Sequence, residues 1–148
     1  MTCGGSKISI FCLPSLRLRS EIVIKNCECL TARITSDGGF ILSGWSDGSI
    51  RAFTPESGTL WFELPNAHRR HVTCLALSAD LTMMVSGGSE GQIRLWNMDL
   101  AGDKPVVPRL MHTFHSHRAS ISSLQLMTQS RQCLSSSEDG TVIVWDLK

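Results

Sequence analysis

The sequence contains no tyrosine, and aromatic residues make up only 6% of its 148 positions. It has no apolar run near the roughly 18 residues a bilayer-spanning helix needs. The apolar stretch from Ile8 to Leu13 follows Lys7 but is too short for the core of a secretory signal, and Arg17 and Arg19 follow it with no small-residue cleavage site. Charge is nearly balanced, with 14 Lys and Arg against 13 Asp and Glu, a net charge of +1. That excludes nucleic acid or an anionic membrane as the main partner, since both are held through an excess of basic residues. No phosphate-cradling G-x-x-x-x-G-K-[ST] motif occurs, and no window shows a helical period. The six cysteines (Cys3, Cys12, Cys27, Cys29, Cys74 and Cys133) include no C-x-x-C pair. Scattered in this way, they read as free thiols in a reducing, intracellular compartment.

What is there suits short strands and tight turns: 42% hydrophobic residues, 18% charged residues, 12 glycines and 5 prolines. The length fits one domain. One pattern recurs along the chain. It reads Ser43-Gly44-Trp45-Ser46-Asp47-Gly48-Ser49-Ile50-Arg51-Ala52-Phe53, then Ser86-Gly87-Gly88-Ser89-Glu90-Gly91-Gln92-Ile93-Arg94-Leu95-Trp96, then Ser135-Ser136-Ser137-Glu138-Asp139-Gly140-Thr141-Val142-Ile143-Val144-Trp145. A degraded copy, Gly5 to Phe11, opens the chain. The closing aromatics Phe11, Phe53, Trp96 and Trp145 lie 42, 43 and 49 residues apart, close to the ~40–45-residue period of a propeller blade. The longer third interval falls at residues 99–108, where Gly102, Pro105 and Pro108 mark a surface loop.

Each copy reads as strand, tight turn, strand, with Gly48, Gly91 and Gly140 as the turn glycines. A further strand precedes each copy (29–34, 72–77, 121–126) and an outer strand follows (21–24, 59–64, 109–114). The fold class is therefore all-β: about three four-stranded blades plus a partial one. The partition is a partial blade at 1–26, blades at 27–64 and 65–114, and an incomplete blade at 115–148. Propellers close with about 4–8 blades, so this segment is not expected to close a ring by itself. The expectation is a piece of a longer chain whose remaining blades cover its ends; an uncovered last strand at Val142–Trp145 would be an aggregation-prone edge.

Repeat three carries His117, Ser135, Asp139 and Trp145; repeat two carries His68, Ser86, Glu90 and Trp96 at matching offsets. Ser, His and Asp together invite a catalytic-triad reading. A triad needs an exposed nucleophile and an oxyanion hole, not a Trp at fixed spacing. A closed hydrogen-bond network in which the His bridges Ser and acid, while the Trp N–H reaches the Ser, explains all four residues. The expectation is therefore a structural tetrad at 117, 135, 139 and 145 and a partial one at 68, 86, 90 and 96, with no catalytic residue. Repeat one has Ser43 and Asp47 but Phe53 for Trp and Lys25 where His belongs, so its network should not form. His112, His115 and His117 lack partners at metal-ligand spacing, and Cys27 with Cys29 supplies only two ligands. No metal or other cofactor is expected. The pairs Arg69-Arg70 and Arg17/Arg19 read as ordinary surface charge able to touch an acidic partner.

The tetrad and the period resemble those of the WD-repeat β-propeller family. Three finer features resemble a double-propeller branch of that family found in motile cilia: Arg51-Ala52-Phe53 in place of x-x-Trp, the Pro55-Glu56-Ser57-Gly58 turn, and Glu90-Gly91 in place of Asp-Gly. The resemblance spans roughly residues 20–148, with an added loop near 99–108. It implies a non-catalytic scaffold in the ciliary or flagellar axoneme, inside the doublet microtubule, with tubulin and neighbouring inner proteins as partners. The alternative it leaves open is a general WD-repeat adaptor, such as a ubiquitin-ligase substrate receptor or a trafficking-complex subunit. A Ser-His-Asp hydrolase ranks behind both.

Overall fold

In a computed structural model of the chain, which describes residues 1–98, 107–127 and 131–147, every regular element is a strand. The first sheet holds β1 (Thr2–Gly4), β2 (Lys7–Cys12) and β3 (Arg17–Val23). The second holds β4 (Cys29–Ile34), β5 (Ile41–Trp45), β6 (Ile50–Phe53) and β7 (Leu60–Leu64). The third holds β8 (Val72–Leu77), β9 (Met83–Gly88), β10 (Ile93–Asn97) and β11 (Arg109–Phe114). The fourth holds β12 (Ile121–Met127), β13 (Gln132–Ser137) and β14 (Val142–Asp146). Each sheet is an antiparallel meander, and together the four make an open arc rather than a closed ring. The insertion expected at 99–108 lies outside the described residues except for Val107 and Pro108.

Sequence repetition becomes geometric repetition. The innermost strands β4, β8 and β12 each carry a register shift at one place, between Cys29/Thr31, Val72/Cys74 and Ile121/Ser123. A second shift falls just before the closing aromatic, at Ile10/Phe11, Ala52/Phe53 and Leu95/Trp96. Such bulges add local twist, the shape that lets one sheet lie against the next around an axis. The turns also match. Gly48, Gly91 and Gly140 have φ of 80°, 81° and 80°, and each donates its N–H to the carbonyl three residues earlier. Only glycine takes that conformation without strain.

The core lies between sheets, not within one. Ile8, Ile10 and Ile22 meet Ile41, Trp45 and Phe53 between the first and second. Leu42, Ile50 and Phe62 meet Leu75, Met84 and Trp96 between the second and third. Val85, Ile93 and Leu95 meet Ile121, Leu124 and Cys133 between the third and fourth. Neighbouring residues of one strand therefore feed opposite cores, Met84 one and Val85 the next, as the two-residue period of a strand requires. Two outcomes differ from the sequence reading. The first sheet contains β1, a three-residue strand with all residues exposed and no apolar alternation to announce it. Its strand β3 begins at Arg17 rather than near residue 21, because β2 and β3 form a long hairpin paired out to Cys12–Arg17.

Candidate functional site

The third sheet brings His68, Ser86, Glu90 and Trp96 into one network. His68 comes from the loop before β8, Ser86 from β9, Glu90 from the turn and Trp96 from β10. His68 Nδ1 lies 2.7 Å from Glu90 Oε1 and Nε2 lies 2.8 Å from Ser86 Oγ, while Trp96 Nε1 donates to the same Oγ at 2.8 Å. Burial pushes the Glu90 carboxyl up, but its contact with His68 outweighs this and holds it below the usual range. An ionised Glu90 accepts from Nδ1–H, which leaves Nε2 to accept from the serine hydroxyl.

The fourth sheet repeats the arrangement with one change. His117 Nε2 is 2.7 Å from Ser135 Oγ, which also accepts from Trp145 Nε1 at 2.7 Å. His117 Nδ1 is nearer Thr141 Oγ1, at 2.9 Å, than Asp139 Oδ2, at 3.3 Å. Thr141 passes its own hydroxyl hydrogen to Asp139. The Thr141 hydroxyl and the backbone N–H of Arg118 together hold the Asp139 carboxyl far below its ordinary value. Thr141 was not legible as a network member, since its position is Gln92 in the preceding repeat.

Repeat one was expected to lack a network, and the His-based one is indeed absent, but another takes its place. Trp45, from β5, donates Nε1–H to Ser43 Oγ at 2.8 Å, and Ser43 donates to the Arg51 carbonyl at 3.0 Å. Arg51 pairs with Asp47 and Glu63, each at 2.7 Å, and lies over the Trp45 ring at 5.3 Å. Burial raises the Asp47 carboxyl, yet hydrogen bonds from Arg51 and Ser49 pull it below its normal value. Trp45 stands where the other repeats have Gly88 and Ser137. A Cβ on Gly88 would collide with His68 Nδ1 and with the Glu90 carboxylate. Histidine from the loop and a large residue on the strand therefore exclude each other. The signal was present in the sequence: Trp at 45, Lys at 25 and Phe at 53 change together.

None of these groups is set up to act on a substrate. Ser43, Ser86 and Ser135 are each 0% exposed, and their hydroxyls are already engaged. Cys74 and Cys133 are buried, which pushes their thiols up to about 11 and about 12, so neither is a ready thiolate. His112 packs against the Phe114 ring at 4.5 Å, while His117 turns into its network. Arg19 pairs with Glu56 in the open. A cleft of about 340 Å³ where the inner strands converge is lined by Arg33, Leu75, Leu77, Leu124 and Leu126 among others, with no carboxylate, histidine or cysteine.

The surface that stands out is the far face of the fourth sheet. Ile50 and Ile93 are 0% exposed, whereas the equivalent Val142 is 65% exposed. Ala52 and Leu95 are buried, whereas Val144 is 55% exposed. A Cβ on Gly91 would meet the carbonyl oxygens of His117 and Ala119 at 2.7 and 2.9 Å, and one on Gly48 would meet those of His68 and Arg70. Gly140 has the same backbone conformation, and nothing lies within 4 Å of that point.

Serial meanders, inter-sheet cores and the recurring Ser-centred network define a WD-repeat β-propeller. The chain belongs to the β-propeller family described as IP5P C-F beta-propeller, which matches residues 59–148. It is 36% identical over 146 residues to the human cilia- and flagella-associated protein 52, a match covering 99% of this chain and 23% of that protein. The Chlamydomonas reinhardtii protein of the same name is 37% identical over the same shares. The chain thus spans about a quarter of the length of these relatives. Among solved structures, the RRP9 WD40 repeats superpose with a TM-score of 0.74 at 24% identity, covering 99% of this chain and 40% of that one; this bears on the fold alone.

Proposed function

We propose that the chain is a blade segment of a non-catalytic WD-repeat scaffold of the cilium or flagellum, working as part of a longer protein within the doublet microtubule, against tubulin and neighbouring inner proteins. The observation that carries this reading is the recurring network in the second, third and fourth sheets, whose serines are 0% exposed and already hydrogen-bonded as parts of the framework. Rigid blades of that kind are suited to holding rim loops in place for other proteins. The ciliary setting rests on the similarity to cilia- and flagella-associated proteins. In this reading His117, Ser135, Asp139 and Trp145, with His68, Ser86, Glu90 and Trp96, are structural: they fix loop, turn and strand so that blade edges hold position. No cofactor takes part.

The test is fractionation of ciliated cells expressing the tagged protein. The expected result is retention with tubulin in detergent-extracted axonemes, with tag density inside the doublet wall by tomography. Recovery in a soluble complex would overturn the ciliary reading. Labelling of Ser86 or Ser135 by a serine-reactive phosphonate would overturn the non-catalytic one.

A further inference from the structure

The His117 network does more than stiffen its sheet: it fixes the residue after its histidine. Asp139 Oδ2 accepts the backbone N–H of Arg118 at 2.7 Å. The backbone N–H of Arg69 lies close enough to the Glu90 carboxylate to help keep it ionised. Arg69 and Arg118 are thus equivalent residues, one per sheet, and the backbone of Arg118 is held by a network acid. Their loops adjoin through the β9–β10 turn. Ser89 of that turn donates its N–H to the His71 carbonyl, and Gly91 of the same turn faces the carbonyls of His117 and Ala119. Arg70 belongs to the first of these loops and packs its carbonyl toward Gly48.

Arg69, Arg70 and Arg118 are exposed, and their side chains have no hydrogen-bond or ion-pair partner among the described residues. The acids of the turns are engaged: Asp47 with Arg51, Glu90 with His68 through one oxygen, and Asp139 with His117 and the Arg118 N–H. The exposed Glu28 and Glu138 stand at the two ends of this run of loops, in the elements before β4 and before β14. The face therefore presents three exposed guanidinium groups, with Glu138 beside the Arg118 loop through its N–H on the Ser120 carbonyl.

We infer that the rim formed by Arg69, Arg70 and Arg118 is a docking surface for an acidic peptide segment of a partner protein. Guanidinium groups pair with carboxylates through two parallel hydrogen bonds. Fixing the backbone of Arg118 lowers the ordering cost of binding. Three arginines on a chain of net charge +1 suit a short run of Glu or Asp better than a nucleic-acid backbone, which needs a wider positive field. The inference gives the partner chemistry of the scaffold proposed above and rests on that reading.

The test is fluorescence anisotropy of the full chain with a labelled Glu-rich octapeptide, its Gln counterpart and a single-stranded oligonucleotide of equal charge. The Glu peptide should bind, the Gln peptide should not, and raising the salt to about 0.15 M should weaken binding without abolishing it. Arg69→Gln with Arg118→Gln should weaken binding about tenfold, the size expected for two exposed charge pairs, with the circular dichroism spectrum unchanged. Arg69→Lys with Arg118→Lys should recover part of the loss. Arg17→Gln with Arg109→Gln, at the opposite ends of outer strands, should have no effect. Equal binding of the Gln peptide or the oligonucleotide, or equal losses in the Arg17/Arg109 variant, would overturn the inference. Absence of peptide binding by a chain that still reaches axonemes would sink this inference and leave the scaffold reading standing.

Discussion

In the third sheet a histidine reaches the central serine from the preceding loop, and a tryptophan reaches it from β10. In the second sheet one tryptophan from β5 donates to the equivalent serine, and an arginine between two carboxylates replaces the histidine–glutamate pair. Both arrangements engage the buried hydroxyl and tie turn to strand. They differ in what they leave outside. The histidine version holds a loop whose next residue is a free arginine; the tryptophan version uses its arginine internally. The repeat thus conserves a physical requirement, an engaged buried serine, rather than a set of residues.

The largest effect expected from breaking this comparison is in Trp45→Ala. Trp45 is 0% exposed, so the cavity should cost about 3–5 kcal/mol, read as a lower denaturant midpoint. Trp145→Ala should cost less, because its ring is only partly buried beside the open face. Combining Trp45→Gly with Lys25→His and Phe53→Trp should recover stability relative to Trp45→Gly alone, by rebuilding the histidine version. Failure to recover would mean the two arrangements are not interchangeable.

Next come the turn glycines. Gly91→Ala adds a collision with the His117 and Ala119 carbonyls to its backbone strain, whereas Gly140→Ala adds strain alone. The first should cost about 2–4 kcal/mol, the second about 1–2 kcal/mol. Equal costs would show that another surface already fills the space at Gly140. Gly88→Ala should cost about 1–3 kcal/mol by crowding His68. In the His68→Ala background the cost should fall, with only the flexible Glu90 carboxylate left to crowd, a coupling that a double-mutant cycle measures directly.

The smallest effect is the pH dependence. Asp47, Glu90 and Asp139 all titrate below ordinary carboxylates in the folded chain. The unfolded chain therefore binds protons first as pH falls. The stability these groups confer is complete above about pH 5 and is lost progressively below about pH 4. Asp47→Asn should lower the neutral-pH midpoint and flatten its fall in acid. An unchanged acid limb would show that Arg51 does not hold that carboxylate ionised.

Much of the molecule was legible in sequence because its signals are local and repeated. Gly48, Gly91 and Gly140 each announced a turn by residue chemistry alone, and the strands around them followed from alternation between fixed turns. The histidine networks were legible because offsets in sequence map onto fixed positions in a meander. The tryptophan network was missed because Trp45 reaches Ser43 along its own strand, a contact that no repeat offset encodes. β1 was missed because Thr2–Gly4 carries no apolar face; its pairing with β2 defines it.

The period of forty-odd residues, the turns and the buried serines were determined by sequence, since each depends on backbone conformation within a few residues. Which side chain completes each serine's hydrogen bonds, which arginines stay free, and that Val142 and Val144 face outward were decided only in the folded arc. Those outcomes depend on what the adjoining sheet and loop place within hydrogen-bonding or van der Waals reach, across separations that no local pattern records.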